Sequence, residues 1–223
     1  MKKITWIIVL IIIIGLYFVH TREETSVVEK MSTEQMEDAT AITAGTYTVD
    51  TTESEFMWAG QKPFIDGYVN SGTIALSEGV ITVTDTTATG SFVLDMNTLH
   101  VGLTAQKPGS EGALEGHLKG SRWFDVATYP TATFSIIAVT PTDTDLVYTV
   151  TGDLTIKGVT HEISFPAEIY QDEDGLLYAE AKTEIDRTLW GITSGSGNFF
   201  ENLGDNLIAD EVALSFFLVA NAK

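Results

Sequence analysis

From Gly45 to the end of the chain, apolar residues recur at every second position, and this period leaves few folds open. Phe92, Leu94 and Met96 alternate with Val93 and Asp95, and Tyr148, Val150, Leu154 and Ile156 alternate with Thr149, Thr151, Thr155 and Lys157. The same rhythm runs through Ile163, Phe165, Ala167 and Ile169, through Leu177, Ala179, Ala181 and Ile185, and through Val212, Leu214, Phe216 and Leu218. Successive side chains of a strand point to opposite faces, so each run describes a strand with one dry face and one wet face. Turn signals separate the runs at Ser77-Glu78-Gly79, Pro141-Thr142-Asp143, Lys157-Gly158 and Asp172-Glu173-Asp174-Gly175. Spacing this short predicts hairpins and an antiparallel sheet, and the many threonines suit its outer face.

Eight or nine strands are expected over residues 45–223, with one helix. A single sheet of that size with a dry face on every strand curls or closes, because closure removes the unpaired edges. An all-β antiparallel barrel is the expected fold, with a two-sheet sandwich as the alternative. A barrel of about eight strands can hold one small ligand. The helix is expected after Ser110, over Glu111-Gly112-Ala113-Leu114-Glu115-Gly116-His117-Leu118-Lys119, with Gly120 ending it. Leu114 and Leu118 share a face, but two internal glycines make it weak on propensity, so packing must hold it.

The N-terminus is a separate unit. After Lys2 and Lys3, an apolar run from Ile4 to Val19 is broken only by Thr5 and Gly15 and ends at His20. As a helix it spans about 24 Å, somewhat short of a bilayer core of about 30 Å. No small residues follow that would suit a cleavage site, and the first Ala-x-Ala is Ala39-Thr40-Ala41. Residues 1–20 are therefore expected to be an uncleaved signal anchor, with a cleaved signal and secretion as the alternative. The lysine pair keeps the N-terminus cytoplasmic and places the rest in a periplasmic or extracellular space. Residues 21–44 read as a flexible linker of about 25–30 Å. They carry Glu, Ser and Thr, with Val27, Val28, Met31 and Met36 the main larger apolar residues.

Composition removes several function classes. A net charge of −19 excludes a general nucleic-acid binder, which needs a cationic face. It also argues against docking on anionic lipid through surface charge. With no cysteine there are no disulfides, thiolate nucleophiles or Cys-ligated metals. His100, His117 and His161 lie far apart with no metal-ligand spacing, so no metal site is expected. Ser194-Gly195-Ser196-Gly197 fits no phosphate-binding or nucleophile motif. No catalytic residues are expected. Arg187 stands out among few cations, either as a buried ion pair pinning one barrel end or as a ligand for a polar head group.

Three ordered segments resemble the YceI-like family. Gly152-Asp153-Leu154-Thr155-Ile156-Lys157-Gly158-Val159-Thr160 resembles its GDLTIKGVT signature. His117-Leu118-Lys119, Trp123-Phe124-Asp125-Val126 and Tyr129-Pro130-Thr131-Ala132-Thr133-Phe134 resemble its HLKS, FFDV and YPxxxF segment. Ile185-Asp186-Arg187-Thr188-Leu189-Trp190-Gly191-Ile192 is similar to IDRTxxGI. The resemblance implies a lipocalin-like barrel enclosing a polyisoprenoid or similar long-chain lipid, without catalysis. No cofactor is implied beyond a bound isoprenoid lipid or quinone. Trp123 and Trp190 stand where smaller rings are common, which is expected to reshape the cavity.

On the barrel reading, alternation nominates Trp58, Phe92, Leu94, Phe134, Ile136, Val150, Leu154, Phe165, Phe216 and Leu218 as lipid-binding lining. Arg187, His117 and Lys119 are the head-group candidates. The alternative is a barrel filled by its own side chains, acting as a protein-interaction or stress-response module. Its loop 194–206, with Phe199, Phe200 and Leu203, would form a patch or plug the barrel.

Overall fold

A computed structural model describes residues 42–223. The expected signal anchor at 1–20, and all of the expected linker except residues 42–44, lie outside the described residues. No described helix is long and apolar enough to cross a membrane.

The strands are β1 (Gly45–Val49), β2 (Glu55–Gln61), β3 (Val69–Val83), β4 (Ala88–Thr104), β5 (Thr131–Pro141), β6 (Val147–Ile156), β7 (Val159–Gln171), β8 (Leu177–Asp186) and β9 (Glu211–Ala222). One helix, α1 (Glu111–Lys119), lies between β4 and β5. All pairings are antiparallel, and the sheet runs β3-β2-β9-β8-β7-β6-β5-β4 before β4 pairs back on β3. The ring is closed. β1 adds no ninth position: it pairs the end of β3 and the end of β9, while β2 pairs the beginnings of the same two strands. β1 and β2 are thus two halves of one stave, giving an eight-stave barrel. The break is local chemistry: Asp50 Oδ1 accepts from the Thr52 and Glu53 amides and the Thr52 hydroxyl, folding the chain into a turn.

The alternation of the sequence is the inside and outside of this barrel. Phe92, Leu94, Met96, Val150, Leu154, Phe165, Ala167, Leu177, Ala179 and Leu218 are all buried. Lys157 and Gly158 have φ of 52° and 74°, the positive pair that a two-residue hairpin turn demands. One turn expectation is corrected. Ser77-Glu78-Gly79 lies inside β3, where the register slips between Leu76 and Glu78. Gly79 is small because β1 crosses close by: a Cβ there would lie 2.7 Å from the Val49 side chain. The turn comes later, at residues 84–87, closed by Thr84 Oγ1 accepting from the Thr87 amide.

The helix spans the expected residues but is held differently. The Ser110 side chain makes no capping hydrogen bond, and Gly120 follows in an extended conformation with φ −71°. Tertiary contacts supply the stability: Leu118 is buried in the core, Thr104 Oγ1 donates to Glu111 at 2.6 Å, and Glu115 bonds Lys119 and His100.

The two barrel ends differ in construction. One carries the short connections 84–87, 142–146 and 172–176, and there the chain enters β1 after Ile42. The Thr43 amide donates to Gln171 Oε1, and the Tyr47 hydroxyl donates to the Thr43 carbonyl. The other end is closed by three long segments, 62–68, 105–130 with α1, and 187–210.

Candidate functional site

Two apolar chambers lie inside the barrel, sharing Phe56, Leu94, Leu154 and Leu214 as common wall. The upper chamber, at the short-turn end, has a volume of about 460 Å³. A train of phenylalanines from four strands crosses its wall: Phe92 to Phe134 at 6.4 Å, Phe134 to Phe165 at 5.7 Å, and Phe165 to Phe216 at 5.6 Å between ring centroids. Gly152 makes room for this, since a Cβ there would sit 2.5 Å from the Phe134 ring. Leu94, Ile136, Val150, Leu154 and Leu218 complete the part of the wall that alternation nominated. The chamber reaches the rim, where Thr84, Asp85, Thr86, Thr87 and Ile42 line it. Its volume is that of a small-molecule pocket, and apolar surface buried in it is worth about 25 cal/mol per Å².

The lower chamber, about 310 Å³, lies toward the closed end. Trp58 lines this chamber and not the upper one. Its indole lies against Gly72, where a Cβ would stand 3.0 Å from the ring and 1.8 Å from the His100 carbonyl oxygen. Trp123 and Trp190 also line it, so the larger rings shape this half and leave the phenylalanine wall untouched. Trp190 is 1% exposed and donates from Nε1 to the Leu154 carbonyl at 3.0 Å. The edge of His161 meets its ring at 5.2 Å.

The head-group candidates are placed as follows. Arg187 lines the lower chamber at 3% exposure, with its donors turned to the protein. Nε donates to the Ala209 carbonyl, Nη1 to Ile192, and Nη2 to Ile208 and to Asp210 Oδ1. Its carbon lies 5.3 Å from the centre of the Trp123 ring. Burial holds its pKa below the ordinary arginine value, against the opposing pull of the carboxylates of Asp210, Asp186 and Glu211. Of the two roles open from sequence, this geometry is the buried ion pair that pins the barrel end. Asp210 extends the same lock, accepting from Ser196 Oγ at 2.8 Å and from Asn198 Nδ2 at 2.9 Å. Lys119 is tied to Glu115 at 2.8 Å, and His117 lines the lower chamber from an exposed helix position. None of the three lines the upper chamber.

In loop 194–206, Phe199 and Phe200 lie at the surface, 57% and 50% exposed, Leu203 is half-buried, and none of the three lines either chamber. Among the described residues, no group of three or more His, Asp or Glu is arranged to hold a metal ion. Several wall residues were not nominated from sequence. Phe56 sits two positions before Trp58, but Met57 between them hides the alternation. Ile163 and Leu214 do belong to alternating runs, and the rim residues Ile42 and Thr84 to Thr87 carry no pattern at all.

The YceI-like domain family matches residues 47–220. Among solved structures, the chain is similar to Burkholderia cenocepacia BcnA, with 24% identity over 78% of this chain and 99% of that one, at a TM-score of 0.63. It is also similar to a polyisoprenoid binding domain from Saccharophagus degradans implicated in plant cell wall breakdown. That match has 19% identity over 79% of this chain and 98% of that one, at a TM-score of 0.61. At such identities these likenesses speak to the fold. Comparison with curated proteins gives no significant match. With the family match covering the barrel almost from end to end, the chain belongs to the YceI-like domain family.

Proposed function

We propose that this protein is a non-catalytic, membrane-tethered carrier that encloses one polyisoprenoid or similar long-chain lipid in the upper chamber. The observation that carries this reading is the chamber itself: about 460 Å³, walled by five phenylalanines and aliphatic residues, and reaching the rim. A barrel filled by its own side chains would have no such space. Family membership, and a structural relative described as a polyisoprenoid binding domain, support the ligand class.

The tether belongs to the same reading. Residues 1–20 act as the signal anchor and place the barrel in a periplasmic or extracellular space. Ile42, where the described chain begins, lines the upper chamber. On this reading the linker from the anchor meets the barrel beside the chamber's rim. The lipid then has a short path between bilayer and barrel.

The test is to purify the full chain from bacterial membranes, extract it with organic solvent and analyse the extract by mass spectrometry. A stoichiometric long-chain lipid is expected. An extract that stays empty after incubation with polyprenols and quinones would overturn the carrier reading and favour a protein-interaction role.

A further inference from the structure

The two chambers are opposite in charge. The upper chamber is lined by two carboxylates, Glu55 and Asp85, and by no basic residue. The lower chamber is lined by three basic residues, Lys62, His117 and Arg187, and by no carboxylate. In a chain with 31 acidic and 12 basic residues, a cavity wall of this kind runs against the composition and sets what the cavity can hold.

Arg187 is committed to its own surroundings: its donors go to the carbonyls of Ala209, Ile192 and Ile208 and to Asp210. Lys62 is not. Its ammonium donates to the Asp205 backbone carbonyl at 3.0 Å and lies 5.1 Å from the centre of the Tyr68 ring, and it forms no salt bridge with any described residue. Among the described residues, neither the His117 ring nor the Tyr68 hydroxyl has a hydrogen-bond partner, and both residues line the same chamber.

Local structure places these groups. Phe56, Trp58 and Gly60 face inward on β2, and Lys62 continues that face just past the end of the strand. The Lys62 amide donates to the Tyr68 carbonyl at 3.1 Å, which sets Tyr68 across from it at the foot of β3. Between Lys62 and Trp58 stands Gly60, where a Cβ would meet nothing within 4 Å, so open space separates the ammonium from the indole. His117 comes from the face of α1 that also presents Leu114 and Leu118 to the chamber. Lys62 and Tyr68 are half-buried and His117 is exposed, so the three stand at the mouth, whereas Trp190 and Leu99, each 1% exposed, line the depth.

The mouth therefore offers an ammonium, an imidazole and a phenol hydroxyl: several donors and one full positive charge. Their complement is a single carboxylate, whose two oxygens accept these donors and whose one negative charge the ammonium balances. A diphosphate would bring more negative charge than Lys62 can balance, in a chain of net charge −19. We infer that the lower chamber is a second ligand site, separate from the lipid chamber, for a small amphiphilic monocarboxylate. Its carboxylate is held by Lys62, His117 and Tyr68, and its apolar body lies among Trp58, Trp123 and Trp190. The chamber's volume of about 310 Å³ is that of a small-molecule pocket, and the site does not depend on what the upper chamber holds.

Three of the four tryptophans, Trp58, Trp123 and Trp190, line this chamber and none of them lines the upper one, so their fluorescence reports on it. The full chain carrying Trp6→Phe is reconstituted in phosphatidylcholine vesicles and titrated with ω-bromodecanoate, ω-bromodecanol and ω-bromodecyltrimethylammonium, whose bromine quenches a tryptophan that it touches. The carboxylate is expected to reach half-quenching at a free concentration about tenfold below that of the alcohol, and the ammonium probe to bind more weakly than either. Lys62→Met should raise the carboxylate's half-quenching concentration about tenfold and leave the alcohol's unchanged, while Lys62→Arg keeps the preference. Tyr68→Phe and His117→Leu should each raise it about threefold. Gly60→Val, which fills the space beside Lys62, should weaken quenching by carboxylate and alcohol alike. Equal quenching by the three probes, or a carboxylate preference that survives Lys62→Met, would overturn the carboxylate site. Absence of quenching by every probe would overturn the lower chamber as a ligand site.

Discussion

The two halves of this barrel are built on different principles. The upper half is made of strands and short turns, and its chamber wall comes from residues that repeat every second position, with Phe92, Phe134, Phe165 and Phe216 each on a different strand. The lower half is closed by long irregular segments, and individual contacts hold it: Arg187 with Asp210, Ser196 with Asp210, Trp190 with the Leu154 carbonyl. Periodic packing leaves the upper wall apolar and uniform, suited to a ligand recognised by length and shape. Singular contacts let the lower end carry polar groups, because each is fixed by its own partners.

This contrast can be broken first at its strongest point. Arg187→Leu leaves Asp210 buried without its cation, and breaking a buried pair in this way costs about 3–5 kcal/mol. A large fall in the urea midpoint is expected; a change near zero would remove the distinction between the halves. Phe134→Asp tests the other side. A carboxylate in the phenylalanine wall should reduce lipid retention at least about tenfold in protein that remains folded by circular dichroism. Retention at wild-type level would show that the upper chamber is not the lipid site.

Gly152→Val comes next, because its Cβ would press on the Phe134 ring and the Ser135 carbonyl, each at 2.5 Å. Overpacking of this kind costs about 1–3 kcal/mol and should be read as a lowered thermal midpoint together with weaker lipid retention. The smallest effect lies on the outer wall. Glu168 has its pKa raised, first by burial and then by Glu180, its register partner on β8. Its ionised form is therefore disfavoured in the folded state, a penalty present above the raised folded value and absent below the unfolded value of about 4.3. Glu168→Gln should raise the urea midpoint slightly at pH 7, with the gain vanishing as the pH falls below 4. A gain that instead grew toward acid pH would refute the assignment.

The same division governs what could be read in advance. Nine of the ten lining residues nominated by alternation line the upper chamber, because a period of two is a local property that survives any later detail of packing. Trp58 obeys the alternation and faces inward, yet lines the lower chamber, a matter of position along the barrel axis that the period does not encode. The turn expected at Ser77-Glu78-Gly79 failed for a related reason. Gly79 is needed for the approach of Val49, thirty residues earlier in the chain.

The amino-acid sequence by itself determined β4, β6, β7, β8 and β9, their inner and outer faces and the site of the helix, since each rests on residues a few positions apart. Its spaced motifs also determined the family. Tertiary structure decided that β1 and β2 share one stave and that Arg187 is committed to Asp210. It also decided that the barrel is hollow. Whether inward side chains meet across a barrel depends on its radius and stagger, which arise only when all eight staves close.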